Sequence, residues 1–137
     1  MTTERYFIGQ CLWNPSILWE TKLVPDDFSE SYDRHLFSAM LEIASDGKVV
    51  DESLLSERSG VSLSEVMALK RTDIIASNWK FNEGQLRKFS AIREIKKAAQ
   101  SILECKVIDP ASLIAQMQKT VDNFQKVDDD FEISRIQ

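Results

Sequence analysis

Turn-forming residues are scarce in this sequence, which has only four glycines and three prolines among 137 residues. So few turn-forming residues argue against an all-β sandwich, which needs many hairpin turns. The two cysteines, Cys11 and Cys105, lie far apart and form no Cys-x-x-Cys pair, which argues against a disulfide framework or a zinc site. No apolar run approaches the roughly 18 residues of a membrane span, and no secretory signal is evident. We therefore expect a cytoplasmic protein with two free thiols and no membrane contact.

Catalytic motifs are scarce as well. The sequence contains no Gly-x-x-x-x-Gly-Lys-Ser/Thr loop that would hold nucleotide phosphates, and no serine in a nucleophile elbow. His35 is the only histidine, and its place on an apolar helical stripe predicts a packing role. We therefore expect no catalytic residue, no cofactor and no metal in this chain.

The charge is acidic overall, at −5, and it is unevenly distributed. Residues 1–60 carry 5 basic and 11 acidic side chains, whereas residues 83–106 carry 6 and 3. Binding to a nucleic-acid backbone depends on many Lys and Arg contacts, so general DNA binding is disfavoured. The basic stretch either steers an acidic partner or forms a solvated helix face. Five of its six cations are candidate contacts for such a partner: Arg87, Lys88, Arg93, Lys96 and Lys97.

Apolar residues recur at helical spacing through most of the chain, and this predicts an all-α fold. Helix starts are marked by residues that commonly cap helix N-termini, namely Asp51, Ser62, Asn82 and Asp109. The pattern predicts a compact helical head at 1–81, followed in the same domain by an antiparallel helical hairpin at 82–126. The acidic run at 128–130 is expected to end regular structure, so that 127–137 begins a linker.

The predicted hairpin carries more apolar surface than two helices can bury by themselves. Its arms, at about 83–104 and 110–126, are joined by a short link, which predicts that the chain folds back on itself. We expect the apolar stripe to be covered by the head, by another subunit, or by both. The candidate contact residues are Leu86, Phe89, Ile92, Ile95, Leu113, Met117, Val121 and Phe124.

Residues 52–71 resemble a helix-turn-helix, with a short helix, a turn at Gly60 and a second helix that leads to Lys70 and Arg71. In a DNA complex Glu65 would face phosphates unfavourably. The alternatives are a small DNA-binding regulator and two helices packed across a turn without a ligand.

Four motifs in order resemble the N-terminal domain of DnaB-type replicative DNA helicases. Residues 4–15, ERYFIGQCLWNP, resemble the opening pattern E-x-x-x-L-G-x-x-L-x-(N/D)-P. PDDF at 25–28 resembles P-x-D-F, YDRHLF at 32–37 resembles H-x-x-I-F, and GKVVD at 47–51 resembles G-x-x-V-D. Residues 61–79 depart from the family's G-G-x-x-Y-L segment, which indicates a divergent member.

The resemblance implies a non-catalytic collar that acts in DNA replication. In that family the hairpins pair into dimers, the dimers build a ring, and the collar docks primase and, in some systems, a helicase loader. ATP and Mg would belong to the motor domain, which makes the full-length family protein an ATP-dependent DNA helicase. DNA contact by the collar would be at most indirect. The alternatives are a free-standing adaptor or inhibitor with the same fold that acts on a helicase, and the helix-turn-helix regulator.

Overall fold

A computed structural model describes residues 2–106 and 109–136, with side chains described as far as residue 124. Within these residues the regular structure is helical and contains no strand, which confirms the all-α class. Two single-turn 3₁₀ helices lie at Pro25–Asp27 and Ala76–Asn78. The α-helices are α1 (Thr3–Trp13), α2 (Ile17–Glu20), α3 (Ser31–Ser45), α4 (Glu52–Ser59), α5 (Leu63–Leu69), α6 (Trp79–Leu103) and α7 (Pro110–Ile136).

Local hydrogen bonds set several of the helix boundaries. The Asp51 carboxylate accepts a hydrogen bond of 2.7 Å from a backbone amide in the first turn of α4. The Ser62 hydroxyl does the same over 3.3 Å at the start of α5, and the Asp109 carboxylate does so over 3.3 Å at the start of α7. Gly60, between α4 and α5, has a φ of +76°, a conformation that favours glycine. These predicted caps are confirmed, and each contributes about 1 kcal/mol.

Two predicted boundaries are wrong. Asn82 does not cap a helix, because α6 already begins at Trp79 and the Asn82 amide donates to Gln10 Oε1 over 3.1 Å. The acidic run at 128–130 does not end α7, which continues to Ile136. Aspartate costs only a fraction of a kcal/mol per residue in a helix, so a short run does not stop one. The linker role of 127–137 stays a prediction, and its last residue lies outside the described residues.

The chain forms two compact units, Met1–Ser90 and Ala91–Gln137. The core of the first unit is built around three buried aromatic rings from α1, the loop before α3, and α3 itself. The ring centroids of Phe28 and Phe37 are 4.7 Å apart, and that of Phe7 lies 6.2 Å from the ring of Phe37. Aromatic rings at these separations attract one another, and this attraction adds to the stabilisation that comes from burying them. Together with Phe7 and Phe28, the buried apolar side chains of α3 form the centre of this core.

The first turns of α6 belong to the first unit, whereas the sequence placed the boundary within the first turn of this helix. Leu86 is 1% exposed in the core. The Glu83 carboxylate accepts hydrogen bonds from Thr21 Oγ1 at 2.5 Å and from the backbone amide of Lys22 at 2.9 Å. Ser90 Oγ donates to Asp27 Oδ1 over 2.8 Å. These contacts hold α6 to the first unit as far as Ser90.

None of the helices in the described part of the chain is long and apolar enough to cross a bilayer.

Candidate partner-binding surface

The second unit consists of the last part of α6 and of α7. The connection between the two helices is short, from Leu103 to Pro110. The sulfur of Cys105 lies 3.5 Å from Gln116 Oε1, so the second turn of α7 lies beside the end of α6. A reversal of the chain at this point is what the short link predicts.

The second unit leaves large apolar side chains exposed. Among its described residues no apolar side chain is fully buried. Six of them are between 41% and 78% exposed: Ile92, Ile95, Leu103, Ile114, Met117 and Val121. An apolar surface of this kind on a single subunit is typical of an interaction site.

The exposed side chains of α7 lie on one flank of the helix. Ile114, Met117 and Val121 are spaced three and four residues apart, so they share a face. Leu113 and Phe124 have the same spacing from Met117 and Val121 and are half-buried. The predicted stripe of α7 therefore contains both half-buried and exposed side chains. Ile114 was missed because it falls outside the coiled-coil spacing through Leu113 and Met117.

Two of the predicted contact residues lie in the first unit. Leu86 is buried in the core, so its prediction as a partner contact is wrong. The reason is that α6 has apolar residues on two faces, and Leu86 lies on the face that packs into the core. Phe89 is 46% exposed and remains available to a partner. Phe81, which the sequence analysis did not select, is 67% exposed.

The predicted basic contacts differ in exposure. Lys88, Lys96 and Lys97 are exposed, and none of them forms an ion pair within the described residues. Arg87 and Arg93 are half-buried. The three lysines are therefore the cations of this group that an acidic partner reaches most easily.

The two cations at the end of the helix-turn-helix segment are paired with carboxylates. Lys70 Nζ pairs with Glu52 Oε1 at 2.8 Å and lies 4.7 Å from the centroid of the Trp13 ring. Arg71 makes two hydrogen bonds, of 2.9 and 2.7 Å, with the carboxylate of Asp73. These bonds hold the pKa values of Glu52 and Asp73 below their ordinary range. A DNA phosphate would have to break both pairs, and this disfavours the DNA-binding alternative.

Comparisons with known proteins identify the family. The model of the DnaB-like helicase N terminal domain matches residues 1–77, which is more than half of the chain. The chain belongs to this family, and the resemblance inferred from the motifs at 4–51 is confirmed. The N-terminal domain of these ATP-dependent helicases lacks the motor domain, and this accounts for the missing nucleotide loop. No curated protein matched the chain in sequence.

Solved structures are similar in fold. The N-terminal domain of DnaB helicase from Mycobacterium tuberculosis superposes with a TM-score of 0.77 at 15% identity, covering 88% of this chain and 94% of that domain. A DnaB-like replicative helicase, solved together with its interactions with primase, gives a TM-score of 0.74 at 18% identity. That match covers 88% of this chain and 30% of the helicase. The chain therefore spans less than a third of that relative.

Proposed function

We propose that this chain is the collar domain of a replicative DNA helicase, which associates with copies of itself and docks a primase or a helicase loader. The observation that carries the proposal is that the second unit exposes six large apolar side chains, together called its apolar flank: Ile92, Ile95, Leu103, Ile114, Met117 and Val121. A symmetric contact between two copies would cover this flank on both subunits.

The size of the flank indicates how strong such association would be. Full burial of an aliphatic side chain contributes about 1.5–3 kcal/mol, so a side chain that is already half-covered would gain about 1 kcal/mol. The six exposed side chains on each copy would together contribute roughly 6 kcal/mol per subunit. Association costs about 4–15 kcal/mol in lost freedom of motion. We therefore expect a dimer that depends on concentration, with ring formation as a further step.

Docking of primase or a loader is supported by the family and by one structural relative. The DnaB-like helicase of similar fold was solved with its interactions with primase. The exposed lysines of α6 offer an electrostatic contact to an acidic partner surface. Isothermal titration with the primase of the same replication system tests this step. Absence of measurable binding at high micromolar concentration would remove primase from the proposal.

Sedimentation velocity across a concentration series tests self-association. Ile92→Glu and Val121→Glu should each raise the dissociation constant at least about tenfold, because each buries a charge in the proposed contact. Ala115→Glu is the matched control, since it adds the same charge at an exposed position on another face of α7. At concentrations where the wild type is a monomer, all three variants should keep the wild-type melting temperature. A wild-type monomer at every concentration, or equal weakening by the Ala115 variant, would contradict the proposal.

A further inference from the structure

We propose that the outer face of the first turns of α6 is a docking site for an acidic amphipathic helix of another protein. We call this surface the Gly84 face, and all of it belongs to the first unit. The assignment rests on the docking step of the proposed function, to which it gives a location and a partner chemistry, and it does not depend on self-association. The face consists of two neighbouring rows with a spacing of four residues: Lys80, Gly84 and Lys88 in one, and Phe81, Gln85 and Phe89 in the other.

Two phenylalanines on this face are open to solvent. Phe81 is 67% exposed and Phe89 is 46% exposed, although aromatic side chains gain much from burial. The other side of the same helix packs into the core through Leu86 and Ser90, which are 1% and 8% exposed. This part of α6 therefore has one side that the first unit covers and a second side with exposed aromatic rings, as an interaction site requires.

Gly84 has no role within the described fold that calls for a glycine. A glycine inside a helix is destabilising relative to alanine. Its φ is not positive, unlike those of Gly47 and Gly60. Gly9 leaves room for a neighbouring backbone, whereas a Cβ at Gly84 would meet no described atom within 4 Å apart from its chain neighbours and the adjacent backbone of α6. A partner that packs closely against α6 would use the space that the missing side chain leaves.

The glycine deepens a hole of the kind that receives a side chain from a facing helix. Such a hole is formed by residues i, i+3, i+4 and i+7 of one helix. The residues with this spacing are Phe81, Gly84, Gln85 and Lys88. Because Gly84 has no side chain, there is room in the hole for a large apolar residue such as leucine. This geometry favours a helix over an extended segment as the occupant.

Charge selects the polar residues of the partner. Lys80 and Lys88 are exposed, and neither forms an ion pair within the described residues. They are two helical turns apart, which is about 12 Å along the axis. Glu83 is the only carboxylate in residues 79–90, and it lies off this face, hydrogen-bonded to Thr21. Carboxylates one turn before and one turn after the inserted side chain would therefore be attracted, and lysines would be repelled.

Two synthetic helical peptides test the assignment. They share one length and the same leucine positions, and they carry either glutamate or lysine four residues before and four residues after the central leucine. Fluorescence anisotropy with the full chain should show saturable binding of the glutamate peptide and at least about tenfold weaker binding of the lysine peptide. Lys88→Glu should weaken the glutamate peptide at least about fivefold and should strengthen the lysine peptide.

Gly84→Ala tests the hole itself. It should weaken the glutamate peptide at least about fivefold, because the added methyl group takes up space that the leucine needs. Its melting temperature should stay level or rise, so a loss of binding would not be a loss of folding. Phe81→Ala should weaken the same peptide at least about tenfold.

Lys119→Glu is the matched control for Lys88→Glu, because Lys119 is an exposed lysine of α7 outside the Gly84 face. It should leave peptide affinity within about twofold of wild type. Absence of saturable binding, equal affinity for the two peptides, or wild-type affinity in Gly84→Ala would each overturn the proposal.

Two further results separate this site from the proposed function. Loss of self-association in Lys88→Glu, with none in Val121→Glu, would show that a second copy occupies the Gly84 face, and docking of another protein there would be overturned. Binding of primase without binding of the glutamate peptide would overturn this site and leave the proposed function standing.

Discussion

Replacing Gly9 with alanine should destabilise the first unit, because α1 passes too close to the end of α5 for a side chain to fit between them. A Cβ at Gly9 would lie 2.5 Å from the carbonyl oxygen of Leu69 and would overlap the side chain of Ile74. The Ile74 methyl group can rotate away. The Leu69 carbonyl is backbone, so relief of that overlap requires α1 and α5 to separate.

The expected magnitude follows from two opposing terms. Forcing an extra carbon into a packed interior costs about 1–3 kcal/mol. Alanine recovers up to about 1 kcal/mol of helix propensity relative to glycine. Because the overlap is with backbone, the upper end of the packing cost applies, and the net change for Gly9→Ala is a loss of about 2 kcal/mol in the free energy of unfolding. In a unit of this size, that loss lowers the melting temperature by about 10 °C.

Gly84→Ala is the matched control. Gly84 lies inside α6, and apart from its chain neighbours and the adjacent backbone of α6 no described atom lies within 4 Å of the position that a Cβ would take. This variant should be neutral or more stable by up to about 1 kcal/mol. Thermal and urea unfolding of the two variants, followed by circular dichroism, makes the comparison. A midpoint that rises in Gly9→Ala as it does in Gly84→Ala would refute the close approach of the two helices.

Three further predictions concern buried polar and thiol groups of the first unit. The amide of Gln10 is fully buried and makes hydrogen bonds with Ile75, Asn78 and Asn82. Gln10→Leu would leave those groups without a partner, so it should lower the free energy of unfolding, measured in urea, by about 1–3 kcal/mol. An unchanged urea midpoint would contradict this. Burial raises the pKa of Asp33, whose Oδ2 has no hydrogen-bond partner in the described structure. The folded state then holds this proton more tightly, so the contribution of Asp33 to stability is present below about pH 4 and is lost as the pH rises. Above about pH 4, the free energy of unfolding of the wild type should therefore fall relative to that of Asp33→Asn. If it rises relative to that variant instead, the inferred effect of burial on Asp33 is wrong. Burial also raises the pKa of Cys11. A thiol reagent should therefore modify only Cys105 in the native chain. Equal reaction rates at the two cysteines would show that Cys11 is accessible.

Helix starts could be predicted where the capping contact is local. Asp51, Ser62 and Asp109 each accept a hydrogen bond from an amide two or three residues ahead, and such a contact depends on nearby residues alone. Asn82 occurs in the same kind of pattern, yet its amide binds Gln10, 72 residues away in the chain. Because the competing contact is distant in sequence, no local pattern distinguishes Asn82 from a true cap.

The candidate partner surface could be predicted only in part. Periodicity located apolar side chains along α6 and α7, and Ile92 and Val121 are exposed as an interaction site requires. The same periodicity placed Leu86 among the partner contacts, although it is buried in the core of the first unit. Ile114 was missed. A hydrophobic pattern indicates which side chains avoid water, but it does not indicate which of them the fold already covers.

Composition, periodicity and four short motifs were enough to establish a helical fold, the family, and the lack of a nucleotide-binding loop. These properties depend on residue types and on spacings within single helices. Two properties depend on how distant segments pack: the burial of Leu86 and the pairing of Lys70 with Glu52. Burial and ion pairing are set by neighbours in space, and those neighbours exist only once the helices have been brought together.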